Sequence, residues 1–370
     1  MITEVCDLRG KYVLVRASCN VPLEGNEVRN AYRLKRAIPT IEYLRLQGAR
    51  VIVISHLGRE ATDSLKPVFV ALEQMMKLSW GGVITDPAFA EIQAAMQDGD
   101  VVLCENLRQD PREEANDPGF VKEMAAYASL YVNDAFAEAH REHASTLGLA
   151  QTLPAYAGIT LAEEVTELSR VIIPNNPALF LLGGAKFETK MPLVEKYLEL
   201  YDQVFIGGAL AHDVLKARGY EVGTSLVSEV SLVAAPFLHH EKLLLPVDVI
   251  VEGPGGVATR AVDAVGVNEK ILDLGPDTVA LLQGYIEKAE TILWNGPFGS
   301  YEAGFVEGTE AIAEIIAENS AFSVVGGGDT VAAIEKLGLN DKFGFVSIGG
   351  GSMLTLLEHG TTPSLQALVK

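Results

Sequence analysis

The first half of the sequence sets cations beside short β-branched runs. Arg33 opens a helical pattern, His56 and Arg59 lie in Ser55-His56-Leu57-Gly58-Arg59 directly after such a run, and Arg108 and Arg141 follow two more. Arginine presents a planar fork of donors that matches carboxylate and phosphate oxygens. Gathered in one cleft, these side chains would bind a small anionic acid. His140-Arg141-Glu142-His143 has the HxxH spacing of a metal site, but the Arg inside it and the lack of an obvious third ligand argue against metal.

The second half carries glycines instead. Gly183-Gly184-Ala185-Lys186, Gly207-Gly208, Asn295-Gly296, Gly326-Gly327-Gly328-Asp329-Thr330 and Gly349-Gly350-Gly351 each follow an apolar run and precede a helical pattern. Glycine lets a backbone approach a ligand closely. A helix N-terminus beyond it presents free N–H groups and a positive dipole end to an anion. The repetition points to a phosphate-rich ligand. Lys186 and Lys190, four apart, would share a helix face and suit a phosphate chain. Asp329 has two readings of equal weight. It could cap a helix, or it could hold Mg²⁺, an ion that favours one or two carboxylates plus substrate phosphates. Trp294-Asn295-Gly296-Pro297 sets an amide and a rigid turn at another strand end, and Glu302 beyond it could take ribose hydroxyls. Neither GxxxxGK[ST] nor GxGxxG after a strand occurs, so a nucleotide would be held by another route.

Periodicity shows which elements must carry these groups. The runs at 12–16, 50–55, 101–105 and 130–133 read as buried strands, and 33–47, 65–77 and 120–128 have helical spacing. Such alternation predicts a mostly parallel, doubly wound α/β sheet. The second-half runs 178–182, 203–206, 291–294, 322–325 and 343–348 lead into the glycine turns. In open sheets of this kind ligands bind beyond the carboxyl ends of the strands, where both sets of residues fall. A length of 370 residues predicts two domains. Leu161, Val165, Leu168, Val171 and Ile172 have helical spacing before Pro174-Asn175-Asn176-Pro177, which predicts a connector helix. The expected domains are 1–165, with 352–370 packing back on it, and 166–351.

With 29 Lys/Arg against 49 Asp/Glu the net charge is −20, so nucleic acid and anionic membranes are poor partners. Eleven of the fourteen arginines nevertheless fall in residues 1–150, which fits an anionic ligand there. Cys6, Cys19 and Cys104 have no CxxC spacing, so a disulfide framework or zinc ribbon is not expected, and Cys19 and Cys104 read as small buried residues. His212, His239, His240 and His359 read as surface or core histidines. The charged start is unlike a signal peptide, and the uncharged stretch 171–185 is too short and too broken to span a bilayer. A soluble cytoplasmic protein is expected.

Val13-Leu14-Val15-Arg16, Ser55-His56-Leu57-Gly58-Arg59, Glu105-Asn106-Leu107-Arg108, Tyr131-Val132-Asn133-Asp134-Ala135-Phe136 and Ala139-His140-Arg141 stand ahead of the glycine turns in one order. That ordered set resembles the phosphoglycerate kinase family along essentially the whole chain. The resemblance implies two Rossmann-like domains joined by a helix, with acid and nucleotide on opposite walls of a cleft that closes. It implies phosphoryl transfer between 1,3-bisphosphoglycerate and ADP, giving 3-phosphoglycerate and ATP, with Mg²⁺, by a monomer. Carried over by motif, Ser18, Asn20, Arg33, His56, Arg59, Arg108 and Arg141 would hold the acid. Arg33, Lys186, Lys190, Gly328 and Gly351 would meet the transferring group. Gly184, Ala185, Lys186, Lys190, Gly207, Gly208, Asn295, Pro297, Gly327, Gly328 and Thr330 would hold the nucleotide, with Glu302 on the ribose and Asp329 on Mg²⁺.

The sequence departs from the family pattern at several points. The usual Asp-Phe-Asn after the first strand is Ser18-Cys19-Asn20, and the Asp normally helps hold the hydroxyl of the acid. Serine is shorter and uncharged, so Ser18→Asp is expected to tighten acid binding if the pocket has only been weakened. Glu60, Gln109, Ala137, Ile348 and the run Gly207-Gly208-Ala209-Leu210-Ala211-His212-Asp213 also differ. The alternatives are a kinase of the same fold for another small acid and a nucleotide-binding member without catalysis. Cations kept in both halves favour the kinase, and the missing GxGxxG disfavours a Rossmann oxidoreductase.

Overall fold

A computed structural model describes residues 1–185, 187, 190–229 and 232–368. The chain forms two compact units. One is Met1–Thr166 with the segment from Thr361, and the other is Glu167–Gly360. None of the described helices is long and apolar enough to cross a membrane.

The first unit is built on strands β1 (Tyr12–Ala17), β4 (Arg50–Ile54), β5 (Ser79–Gly82), β6 (Val101–Cys104), β7 (Leu130–Asp134) and β8 (Ala155–Ala157), with a small ribbon of β2 (Leu23–Glu24) and β3 (Glu27–Val28). The main sheet is parallel, in the order β5-β6-β4-β1-β7-β8. Its helices are α1 (Tyr32–Leu46), α2 (Lys66–Glu73), α3 (Phe89–Ala95), α4 (Pro118–Ala125) and α5 (Leu149–Thr152), with the start of α6 (Ile159–Ile172) and the terminal α13 (Pro363–Leu368). Alternation in β1 explains why both faces are covered. Val13, Val15 and Ala17 pack with Leu34, Ala37, Ile41 and Leu44 of α1, whereas Leu14 packs with Phe120, Val121 and Met124 of α4. Helix α4 starts where its sequence says it should. Pro118 lies in its first turn, and the Asp117 carboxylate accepts from Phe120 N at 2.9 Å.

The second unit has a parallel sheet in the order β11-β10-β9-β15-β16-β17. Its strands are β9 (Ala178–Leu182), β10 (Gln203–Ile206), β11 (Leu243–Leu244), β15 (Thr291–Asn295), β16 (Phe322–Gly326) and β17 (Phe345–Val346). Around it stand α7 (Met191–Leu200), α8 (Ala209–Ala217), α9 (Pro276–Ile286), α10 (Glu307–Ala317), α11 (Gly328–Leu337) and α12 (Gly351–His359). The sequence did not predict the antiparallel sheet of β12 (Asp248–Gly253), β13 (Gly256–Ala261) and β14 (Lys270–Leu274). The run predicted over 343–348 is a strand only at Phe345–Val346.

The C-terminal segment divides differently from the expected 352–370 tail. Helix α12 belongs to the second unit, because Lys196 Nζ of α7 donates to its last carbonyls, Leu357 O at 2.7 Å and Glu358 O at 2.9 Å. Only the segment from Thr361 goes with the first unit, where Ser364 N donates to Ala139 O at 3.2 Å and Leu368 packs on the α4 cluster.

Each six-stranded parallel sheet has a place where the chain leaves two neighbouring strands in opposite directions. In the first unit it lies between β1 and β7, and in the second between β9 and β15. A crevice opens at such a switch point beyond the strand ends, and ligands of open α/β sheets bind there.

Candidate active site

At the β1/β7 switch point the chain leaves β1 through Ser18, Cys19 and Asn20. It leaves β7 through the short turn Phe136–Glu138. Ser18 Oγ donates to Glu138 Oε2 at 2.5 Å across this opening, and both residues are almost wholly buried. Asn20 ties two loops together. Its Oδ1 accepts from Gly58 N at 3.0 Å, and its carbonyl accepts from Arg33 Nη1 at 3.0 Å. Arg108 follows β6 and donates through Nη1 to Gly58 O, with Nε 3.1 Å from Glu114 Oε1. Ser18, Asn20, His56 and Arg108 thus come together beyond strand ends of one sheet, and Arg33 reaches them from the first turn of α1. Arg141, half-buried after the β7 turn, lies close enough to act electrostatically on both His56 and Arg108. Arg59 is exposed, and its backbone N–H donates to Asp63 Oδ2 at 3.1 Å.

A buried scaffold holds these groups. Arg16, 1% exposed, donates to Ser145 Oγ at 3.0 Å, Ala17 O at 2.5 Å, Ser55 Oγ at 3.3 Å and His56 Nδ1 at 2.8 Å. Glu113 accepts from Ser145 N at 3.0 Å and from Ser145 Oγ at 2.5 Å. A guanidinium can only donate, so His56 Nδ1 is the lone-pair nitrogen. The neutral ring then carries its proton on Nε2, a buried atom without a hydrogen-bond partner among the described residues. Burial pushes the His56 pKa far below its usual value, helped by the charges of Arg16, Arg108 and Arg141. Burial likewise lowers His143, to about 4, and raises Glu113.

At the β9/β15 switch point the polar groups are mostly main chain. Gly183 N donates to Asn295 O at 2.9 Å, and Gly184 N donates to Pro297 O at 2.7 Å, so the crevice is laced by backbone. Helices α11 and α12 begin at Gly327 (φ 102°) and Gly350 (φ 52°), and neither N-cap makes a side-chain capping bond. A side chain would strain both turns. In α12 the Ser352 N–H donates to Gly349 O at 3.0 Å, whereas the N–H groups of Gly328 and Gly351, first in each helix, point to where an anion is held at helix N-termini. No atom comes within 4 Å of where a Cβ would stand on Gly328 or Gly350. Asp329 lies inside the first turn of α11, after its N-cap Gly327. Its exposed carboxylate does not cap α11 and makes no hydrogen bond with a described residue.

Beside these turns lies a cavity of about 360 Å³, within the range of small-molecule sites. Gly184, Ala185, Gly208, Pro297, Glu302 and Asp329 line it. Lys190, Gly207, Asn295, Gly327, Gly328 and Thr330 are not among its lining residues. Lys190 Nζ is buried and donates to Gly183 O at 2.6 Å. Burial lowers its pKa to about 8, against the opposing pull of Asp329. Thr330 Oγ1 is buried and unpartnered among the described residues. Lys186 lies outside the described residues.

Sequence reasoning missed several groups here. His212, read as a surface or core residue, lines the cavity and donates through Nδ1 to Leu226 O at 2.8 Å. Lys270, Asp273 and Tyr301 also line it. In the first unit Glu113, Glu138 and Ser145 lie in no motif, and Arg16, though inside Val13-Leu14-Val15-Arg16, had no role attached to it. His239, His240 and His359 are exposed, and Cys19 and Cys104 are buried, as read.

Comparison with known proteins gives one answer. Residues 2–360 match the family model for phosphoglycerate kinase. The chain is 42% identical over 385 residues to the phosphoglycerate kinase of Moorella thermoacetica, covering 98% of each chain. It is 43% identical over 381 residues to that of Rubrobacter xylanophilus, covering 98% of this chain and 96% of the relative. The solved phosphoglycerate kinase of Coxiella burnetii superposes with a TM-score of 0.85 at 38% identity, covering 99% of this chain and 98% of that one. The enzyme of Pyrococcus horikoshii superposes with a TM-score of 0.87 at 28% identity, covering 98% and 96%. With motifs, fold and relatives in agreement over nearly its full length, this chain belongs to the phosphoglycerate kinase family.

Proposed function

We propose that the chain transfers a phosphoryl group reversibly between 1,3-bisphosphoglycerate and ADP, with 3-phosphoglycerate and ATP as the products. The observation that carries this reading is a division of labour. One switch point gathers cationic side chains fit for a small polyanion, and the other gathers uncapped helix N-termini beside a cavity fit for a nucleotide.

Phosphoryl transfer asks for positioning and charge stabilisation, with little covalent work by the protein. The acid offers a carboxylate, which leaves or attacks without a strong general acid or base, so no catalytic dyad is needed. His56, Arg108 and Arg141 hold the anionic ends of the acid, with Asn20 fixing the loop around them. Arg33, anchored on the Asn20 carbonyl, faces the oxygens between which the group passes. Lys190 and the first-turn N–H groups at Gly328 and Gly351 take the growing charge from the nucleotide side, and the resemblance places Lys186 with them.

The residues present fit Mg²⁺. No cluster of three or more His, Cys, Asp or Glu able to hold a metal occurs among the described residues. Asp329 offers one uncommitted carboxylate at the cavity, which suits an ion ligated mainly by phosphate and water. When bound, the ion would offset phosphate charge. Glu302 would take the ribose hydroxyls.

The test is a coupled assay of ADP formation from ATP and Mg²⁺ that depends on 3-phosphoglycerate, with Arg33→Ala as control. Turnover in the native protein and its loss in the control is the expected result. Absence of turnover with ATP still bound would overturn the reading in favour of another acid or a non-catalytic role.

A further inference from the structure

A buried carboxylate is out of place in a site meant for a polyanion, yet Glu138 is 3% exposed and stands at the mouth of the β1/β7 crevice. The other buried glutamate nearby, Glu113, has both oxygens engaged by Ser145. Glu138 differs. Only Oε2 is committed, to Ser18 Oγ at 2.5 Å. Oε1 lies 3.9 Å from His56 Nδ1, too far for a hydrogen bond, and that nitrogen already accepts from Arg16 at 2.8 Å. Among the described residues nothing donates to Oε1. Two neighbouring side chains therefore hold complementary open valences: an acceptor on Glu138 Oε1 and a donor on His56 Nε2. A phosphorylated hydroxy acid has the matching pair, because its anionic oxygens accept and its hydroxyl is the one group that donates.

We propose that Glu138 binds the hydroxyl of the acid substrate, supplying from the β7 side of the crevice the carboxylate that position 18 does not provide. This rests on the phosphoglycerate reading above. Ser18 is then a positioning residue. Its hydroxyl donates to Oε2 and turns Oε1 toward the ligand. The expectation that Ser18→Asp tightens binding reverses, because the new carboxylate would face Glu138 at hydrogen-bond distance and like charges there repel. Exchanging the two, Ser18→Asp with Glu138→Ser, keeps one carboxylate and one hydroxyl in contact and restores the site.

The test compares kcat/KM for 3-phosphoglycerate and for 3-phosphonooxypropanoate, which lacks the hydroxyl. The native enzyme is expected to prefer the hydroxyl substrate by about 10- to 100-fold, the range of a charged hydrogen bond. Glu138→Gln is expected to cut that preference about tenfold. Ser18→Asp should raise KM for 3-phosphoglycerate, and the exchanged pair should bring it back. Equal use of both acids by the native enzyme would overturn the proposal while leaving the phosphoglycerate reading intact. So would an unchanged preference in Glu138→Gln with both KM values raised together, the mark of a purely structural residue. If Glu138→Gln does not fold, the native preference and the Ser18→Asp result still decide, and tighter binding in Ser18→Asp sinks the idea. No turnover of 3-phosphoglycerate by the native enzyme would instead sink the substrate reading itself.

Discussion

On the function proposed above, the two switch points would hold phosphate-bearing anions with different materials. At β1/β7 the contacts are side chains: Arg33, His56, Arg108 and Glu138, braced by Arg16 and Ser145. At β9/β15 they are main-chain N–H groups released by glycine turns, with Lys190 and Asp329 as the flanking charges. Side chains differ in shape and charge, so the first crevice can tell one small acid from another and can be retuned by exchange, as at Ser18 and Glu138. Backbone groups are alike and fixed by the fold, so the second crevice would take a phosphate chain in any sequence that keeps its turns.

Substitutions sharpen this contrast, and the largest effect is expected at a side chain in the backbone-built crevice. Lys190→Ala should lower kcat by about 100- to 1000-fold with both substrates still bound, as loss of one preorganised charge does. Steady-state kinetics with separate binding titrations measures it, and near-native turnover would remove Lys190 from the mechanism. Next comes Gly327→Ala. At φ 102° a Cβ is strained and would stand 3.3 Å from Gly296 N. A cost of about 1–3 kcal/mol in stability is expected, read by thermal unfolding, with weaker ADP binding and unchanged 3-phosphoglycerate binding. The smallest effect is in pH. Because the free-enzyme Lys190 ammonium titrates near 8 rather than 10.5, its charge is present below about pH 8 and lost above it. The kcat/KM for nucleotide should therefore fall about tenfold per pH unit above that point, whereas a flat profile to pH 9.5 would show that the charge plays no part.

Much of this was legible because the two halves write their chemistry at strand ends. β9, β10, β15 and β16 were readable from apolar runs stopped by glycine, and β1, β4, β6 and β7 from β-branched runs between helical patterns. β5 was not, since Ser79-Trp80-Gly81-Gly82 has neither alternation nor β-branching. The antiparallel sheet escaped because β13 exposes much of both faces and so carries no clean period of two. Helix α12 was assigned to the tail because its partner, Lys196 capping its carbonyls, is far away in sequence. Glu138 was invisible for the same reason, since only the β1–β7 pairing brings it to Ser18. Arg59, by contrast, was placed by motif alone, and it stands exposed on its loop.

The division between a side-chain site and a backbone site is tested most directly by calorimetric titration of 3-phosphoglycerate and of Mg²⁺-ADP into two variants, Arg108→Ala and Asp329→Asn. Arg108→Ala is predicted to lose about tenfold or more in affinity for 3-phosphoglycerate with Mg²⁺-ADP unchanged. Asp329→Asn is predicted to lose Mg²⁺-ADP affinity with 3-phosphoglycerate unchanged. Loss of the wrong ligand, or of both ligands in either variant, would contradict the assignment of one substrate to each unit.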